Sequence, residues 1–473
     1  MSDFLHQYFG EKEIVSISPL AKAGSDRTYT RILTQSASYI HCHNNHIAEN
    51  ESFLWFSDYF HAHQIPVPAI IAVNEDKSEY ILEDLGQETL LQKVLQDGLT
   101  DQVKKYYADS LKALVKMQLE AGKDLDYSHC FSAKHFDRQM ILADLNYFKY
   151  YFLDLHAVTY NKPALHHEFE KLSLAIDAIE PKYFMFRDFQ GRNIMIHQDK
   201  PYFIDYQGGM KGPILYDVAS LLWQAKAALP FAWKEALFNL YVQEVNQTIQ
   251  LDVEKAKHDY SQLVLIRLLQ VLGAYGLRGL IEKKPHFLSS IPQGLNNIKE
   301  WNSMFSLADY PTLQQILHSL TQTSFMNQYE ARQEQGDNKL HILVQSFSYK
   351  KGGIPVDESG NGGGCVFDCR GVLNPGRFEE YKKLTGRDKP VIDFLESKAK
   401  IGDFLQHAQQ LVSISIDDYI ARGFENLMIS FGCTGGQHRS VYCTDAMAKF
   451  IQEKYQIQAT VKHIEQEAKN WIN

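Results

Sequence analysis

Short apolar runs fill the first part of the chain. From Ile14 to about Leu82 the pattern predicts short strands, interrupted by one helix from about Asn45 to Phe60. Tyr80-Ile81-Leu82 then runs into Glu83-Asp84-Leu85-Gly86, a turn-like exit from a strand. From Leu90 to about Leu174, and again from Tyr216 to Leu320, apolar residues recur at helical spacing. Stripes such as Leu263-Val264-Leu265 through Leu269 read as core. Between the helical stretches, Tyr183 to Gly209 is a patch of short strands and polar loops. A small strand-rich lobe followed by a larger helical lobe suits a ligand cleft between them.

The pattern breaks near residue 330. Thr321 to Asn338 is polar, rich in Gln and Asn, and reads as a linker ending in Gly336-Asp337-Asn338. The strand-like Leu340-His341-Ile342-Leu343-Val344 follows. The expected domains are therefore 1–330, with a small lobe over about 1–85 and a large lobe over about 86–330, and 338–473. The alternative is an ordinary loop inside one domain. No internal repeat is evident, and Ser359-Gly360-Asn361-Gly362-Gly363-Gly364 reads as a flexible loop.

Composition adds context. A chain of 473 residues accommodates two or three domains, and 45% hydrophobic with 22% charged residues argues against wholesale disorder. The formal charge of −9 is uneven. Residues 338–473 hold 17 Lys and Arg against 16 Asp and Glu, leaving 31 against 41 to the remainder. The acidity thus belongs to the first part, and neither part advertises a broad polyanion-binding surface. No uninterrupted apolar run of about 18 residues is present, and Met1-Ser2-Asp3-Phe4-Leu5 lacks a signal-peptide pattern. Six scattered cysteines fit a reducing compartment. The expectation is a cytoplasmic protein without a membrane partner.

The most informative chemistry lies in Phe186-Arg187-Asp188-Phe189-Gln190-Gly191-Arg192-Asn193-Ile194-Met195-Ile196 and in Ile204-Asp205-Tyr206-Gln207-Gly208-Gly209. Phosphoryl transfer needs a carboxylate to accept a hydroxyl proton and oxygen ligands for Mg²⁺ on the nucleotide phosphates. Asp188, Asn193 and, after a short hairpin, Asp205 supply that set in order. Arg187 and Arg192 are candidates to neutralise developing charge. The alternative is that Asp188 and Asp205 cap loops and Asn193 sits in a turn.

This pattern, followed by Gly212-Pro213-Ile214-Leu215-Tyr216-Asp217-Val218-Ala219-Ser220, resembles the aminoglycoside phosphotransferase-like kinases. It is closest to the branch of anomeric kinases acting on N-acetylmuramate and N-acetylglucosamine, and the resemblance spans roughly residues 10 to 320. It implies an α+β protein-kinase-like bilobal fold, ATP in the cleft and Mg²⁺ as cofactor. It further implies Asp188 as catalytic base, Arg192 assisting, Asn193 and Asp205 as metal ligands, and Asp217 as an internal strut. Ala23-Gly24-Ser25-Asp26-Arg27 resembles the family's phosphate-covering turn, and Glu83-Asp84-Leu85 its adenine-binding hinge. One departure concerns the ion pair of a strand lysine with a helix glutamate. The strand Ser38-Tyr39-Ile40-His41-Cys42-His43 offers no lysine to the candidate acid Glu49, so phosphate anchoring lacks its partner. Phe186 also replaces the usual histidine before Arg-Asp. His41, Cys42, His43 and His46 have no second cluster to close a metal site and read as solvated loop residues.

In the last part, the apolar Leu427-Met428-Ile429-Ser430-Phe431 runs into Gly432-Cys433-Thr434-Gly435-Gly436-Gln437-His438-Arg439-Ser440, with a helix expected from near Ser440. A glycine-rich strand-to-helix turn with His438 and Arg439 is a candidate anion site. The spacing of Cys433, Arg439 and Ser440 also matches the cysteine phosphatase loop. With Ser346-Phe347-Ser348-Tyr349-Lys350-Lys351-Gly352-Gly353, Phe367-Asp368-Cys369-Arg370, Asn374-Pro375 and Thr385-Gly386-Arg387-Asp388, the segment resembles the C-terminal domain of the RNase adapter protein RapZ. That implies a smaller α/β domain sensing an amino-sugar phosphate, with RNA binding in the parent family, and Cys433 as a loop residue before a nucleophile. The near-neutral charge and the small Lys350-Lys351 cluster disfavour RNA.

The sequence thus points to ATP- and Mg²⁺-dependent phosphorylation of an amino sugar, the anomeric hydroxyl being one acceptor, with a fused phosphosugar-sensing domain. Its rivals are a kinase-like adapter binding RNA or protein, and a kinase–phosphatase using Cys433.

Overall fold

The computed structural model describes residues 3–10, 13–20, 27–282, 284–334, 340–357, 359, 364–422, 424–455 and 457–469. Gly24, Ser25 and Asp26 lie outside the described residues, as do Gly360 to Gly363. The chain forms two compact units, Met1–Tyr329 and Glu330–Asn473.

The first unit is bilobal. Strands β1 (Ile14–Pro19), β2 (Thr28–Thr34), β3 (Ser38–His43), β4 (Ile70–Val73) and β5 (Glu79–Glu83) form one antiparallel sheet in the order β1-β2-β3-β5-β4. Alternation along the strands gives the sheet two apolar faces. Tyr80 and Leu82 share a core with Phe53, Phe56 and Phe60 of the helix Ile47–Ala62. Ile32 and Ile81 of the other face meet Leu5 and Phe9 of the helix Asp3–Phe9. His46 caps the start of the helix Ile47–Ala62, its side chain accepting from the Glu49 amide.

The large lobe is helical and carries two small ribbons. β6 (Lys182–Met185) pairs with β9 (Met210–Pro213), and β7 (Ile194–His197) pairs with β8 (Lys200–Phe203), both antiparallel. Among the described residues one helical segment, Val253–Ile281, is long and apolar enough to cross a membrane. Within this lobe it is a core element: Leu263, Ile266, Leu269 and Leu272 are fully buried in the same cluster as Ile141, Leu145 and Phe148.

The expected linker differs from the structure. Thr323–Glu334 is a helix, and Met326 and Tyr329 bury their side chains in the large-lobe core. Its polar composition concealed a helix that gives only a few apolar side chains to the core.

In the second unit, β10 (His341–Ser348), β11 (Gly364–Asp368), β12 (Asn426–Cys433) and β13 (Thr460–His463) form a parallel sheet in the order β11-β12-β10-β13. The helices Lys389–Lys398, Ile401–Arg422 and Arg439–Tyr455 supply Leu395, Val412 and Met447 to its core. β12 is buried almost throughout, as a central strand of an α/β sheet should be. The molecule is therefore an α+β protein-kinase-like bilobal domain followed by a smaller α/β domain.

Candidate active site

The segment between β6 and β7 is held from below by Asp217. Its carboxylate accepts the backbone N–H groups of Phe186 at 2.8 Å and Arg187 at 3.0 Å, and Nε2 of Gln118 at 3.1 Å. Complete burial pushes this carboxyl up to about 7, against the stabilising pull of those donors. Arg187 adopts a left-handed conformation, φ 78°, and so does Asp205, φ 69°. Such conformations cost about 1–3 kcal/mol for a non-glycine residue and are held by their surroundings.

Arg187 does not serve the role expected of it. Its Nη2 donates to Asp144 at 2.7 Å, its Nη1 to the Tyr216 hydroxyl at 3.1 Å, and its guanidinium lies over Phe136. It braces the loop internally. The charge beside Asp188 comes from Arg267, whose Nη2 donates to Asp188 Oδ1 at 2.9 Å. Arg267 is 3% exposed and stands in the middle of the stripe Leu263 to Leu269 that the sequence pattern assigned wholly to core. A single charged residue inside an apolar helical run was the available signal. Desolvation would push the Asp188 carboxyl up, but Arg267, Arg192 and Arg187 outweigh it and hold the group below its ordinary value. The side chain of Asp188 remains 46% exposed, so an ionised carboxylate faces the cleft. Arg192 is exposed beside it.

Asn193 donates Nδ2 to the Asp188 carbonyl at 2.9 Å, and the same nitrogen lies 3.5 Å from Asp205 Oδ2. Asp205 accepts from Gln207 Nε2 at 2.8 Å. Burial raises the Asp205 carboxyl, Gln207 opposes, and the nearby Asp188 charge raises it further. No cation among the described residues pairs with Asp205. Two neighbouring hard oxygen donors, one of them an exposed carboxylate that pairs with no cation among the described residues, fit a divalent cation such as Mg²⁺.

The missing partner of Glu49 is Arg27. Its Nη2 lies 3.1 Å from Glu49 Oε1, and Gln207 Nε2 lies 3.4 Å from the same oxygen. Arg27 is 2% exposed, and its Nε has no hydrogen-bond partner. Burial would lower its pKa, but Tyr80, Tyr29 and Glu49 keep it firmly cationic. The cation therefore enters from just before β2 rather than from β3. There Cys42 is buried, and His41 is not a solvated loop residue: it is 7% exposed and lies 2.7 Å from Glu79.

The hinge is braced. Asp84 binds Arg31 Nε at 2.6 Å and Nη2 at 3.0 Å, and accepts from Ser38 Oγ at 2.5 Å. Glu83 turns its carboxylate to the Ala69 amide at 3.2 Å. Leu85 is buried, and its carbonyl meets His197 Nδ1 at 3.1 Å. A hollow of about 800 Å³ beside Glu83 and Asp84, lined also by Tyr39, His61 and Tyr202, contains none of Asp188, Asn193 or Asp205.

In the second unit the loop after β12 forms as expected, and the helix begins at Arg439. Cys433, His438, Arg439 and Ser440 are buried, Thr434 is half-buried and Gly435 is exposed. Gly436 has φ +64°, and a Cβ there would come 2.4 Å from the Glu465 side chain, so the turn demands glycine. His438 does not face an anion freely: its Nε2 is 2.9 Å from the Tyr381 carbonyl. Gly432 packs under Phe347 and Tyr349.

Known proteins agree with this division. Residues 16–248 match the phosphotransferase enzyme family, and residues 340–467 match the RapZ C-terminal domain. A nucleotide-binding protein of Glaesserella parasuis is 29% identical over 184 residues, 36% of this chain and 59% of the relative. One of Cereibacter sphaeroides is 39% identical over 115 residues, 24% of this chain and 36% of the relative. The chain thus spans less than two thirds of the length of these relatives. Among solved structures, the ethanolamine kinase of Plasmodium vivax shares 13% identity at a TM-score of 0.44, over 63% of this chain and 84% of that one. The chain joins an N-terminal phosphotransferase-family domain to a RapZ C-terminal domain.

Proposed function

We propose that the protein is an ATP-dependent kinase acting on a hydroxyl of an amino sugar, with the second domain binding a phosphosugar. The observation that carries this reading is the ionised Asp188, held by Arg267 and open to the cleft, beside the oxygen donors of Asn193 and Asp205. Asp188 accepts the acceptor's hydroxyl proton as that oxygen bonds to the γ-phosphorus and the bond to ADP breaks. Arg192 meets the charge on the transferred group. Arg27, set by Glu49, directs its unused donor toward the nucleotide phosphates. The backbone of Glu83 and Leu85 takes the adenine. Asn193 and Asp205 would hold a divalent cation such as Mg²⁺, which would supply positive charge against the nucleotide phosphates.

The amino-sugar acceptor rests on the likeness of the Arg187–Met195 and Ile204–Gly209 segments to anomeric sugar kinases. In the second domain, the loop from Gly432 to Ser440, with Thr434, Gly435 and Gly436 at its turn and Arg439 behind it, is the phosphosugar site. The six cysteines are all free, which supports a cytoplasmic setting. The test is ATP consumption against N-acetylmuramate, N-acetylglucosamine and their deacetylated and neutral analogues. Turnover with at least one amino sugar, abolished in Asp188→Asn, is expected. Unchanged turnover in that variant overturns the assignment.

A further inference from the structure

We propose that the loop Cys433–Ser440 is also a hydrolytic site, cleaving phosphate monoesters through a covalent phosphate on Cys433. The inference rests on the anion-binding reading of this loop and adds chemistry to it.

The loop leaves the C-terminal end of β12, where ligands bind in parallel α/β sheets, and feeds a helix of 17 residues. The Ser440 hydroxyl lies 3.1 Å from Cys433 Sγ, and the backbone N–H groups of Ser440 and Gln437 also point to the sulfur. Burial alone would push this thiol up. Ser440, the two amides and Arg439 outweigh burial and hold it below the ordinary value, which favours the nucleophilic thiolate form. Arg439 is 3% exposed and anchored by Nη1 to the carbonyls of Arg370 at 3.1 Å and Val372 at 2.6 Å. Its Nη2 reaches the Thr434 hydroxyl at 3.4 Å, and its Nε has no hydrogen-bond partner. A buried cation with an unused donor beside Cys433 is what an incoming phosphate dianion would satisfy.

Asp368 is paired with Gly432 in the parallel register of β11 and β12, one residue before Cys433. Its side chain is 43% exposed, and hydrogen bonds from Arg370 keep it ionised. Ionised, with both oxygens accepting from Arg370, it offers no proton to a leaving group. In the first step the Cys433 thiolate forms an S–P bond as the ester P–O bond breaks, and the departing alkoxide takes its proton from solvent. In the second, water attacks phosphorus, its proton passes to solvent, and the thiolate leaves with release of inorganic phosphate. Without a general acid, acidic leaving groups react fastest, and aryl and anomeric phosphates outpace primary alkyl phosphates.

The test uses the full chain with p-nitrophenyl phosphate and a panel of sugar phosphates. Expected are turnover inhibited by orthovanadate, loss of about a hundredfold or more in Cys433→Ser and Arg439→Lys, and a phosphorylated Cys433 peptide after acid quench. Ser440→Ala should accumulate that adduct by slowing its breakdown. Turnover that survives Cys433→Ser, or none in the unaltered chain, overturns the proposal. Calorimetry with the same sugar phosphates separates the two readings, because binding without turnover removes hydrolysis and leaves the phosphosugar site intact. Thermal unfolding of Arg439→Lys guards against a folding defect.

Discussion

Arg267 Nη2 lies 2.9 Å from Asp188 Oδ1, across 79 residues of sequence. A buried helix thereby supplies the charge that keeps the candidate base ionised. Replacing Arg267 with Met removes that cation, so the Asp188 carboxyl rises and the acid limb of the kinase pH–rate profile moves to higher pH. Arg267→Lys should restore part of the shift. A uniform loss of rate with an unmoved acid limb would assign Arg267 to packing alone.

Arg27 and Glu49 make a second pair, 3.1 Å apart, in the small lobe. If Arg27 anchors nucleotide phosphates, Arg27→Ala lowers kcat/KM for ATP about 10- to 100-fold, or about 1.4–2.7 kcal/mol of transition-state stabilisation. Glu49→Gln should have a smaller effect of the same kind, since it orients the guanidinium without touching the nucleotide. Steady-state kinetics with varied ATP at saturating acceptor measure both.

Asp217 carries the amides of Phe186 and Arg187. Asp217→Ala strands these buried donors at about 1–3 kcal/mol each, so both the thermal midpoint and turnover should fall. Its carboxyl is pushed up to about 7 by burial. The unfolded chain releases this proton near the ordinary aspartate value, so raising the pH from about 4 to 7 destabilises the folded state through this group. The stability advantage of the unaltered chain over Asp217→Asn should therefore shrink as pH rises through that window in calorimetric scans.

Asp445 behaves oppositely. Burial would raise its carboxyl, but Arg387 at 2.7 Å and His463 at 3.0 Å hold it at about 2. The stability this pairing contributes is present above the ordinary aspartate value and is lost as pH falls toward 2. Arg387→Ala should lower the unfolding midpoint of the second domain near neutral pH and flatten its acid dependence, as followed by circular dichroism.

The order Asp188, Asn193, Asp205 was legible in the sequence because a loop–hairpin–loop keeps those residues close however the rest folds. The same holds for Cys433 through Ser440, where strand, glycine turn and helix follow within one local motif. The strut role of Asp217 also came through, because the motif that contains it is continuous. In the sequence Arg27 reads as part of a phosphate turn, and its pairing with Glu49 is not legible there because the cation that the resemblance implies belongs to β3. Arg187 reads as a charge-neutralising group, since sequence cannot tell which way a side chain points. Its side chain turns to Asp144, on the helix Arg138–Tyr151.

The chain's local patterns alone determined the lobes, the loop–hairpin–loop from Asp188 to Asp205 and the glycine turn, because hydrophobic period and turn chemistry act over a few residues. Tertiary structure alone decided which charges meet. Arg267 reaches Asp188, and Arg27 reaches Glu49, only after packing has removed water from around them. A buried charge is tolerated where a partner from a distant segment satisfies it, and that partnership is a property of the folded core.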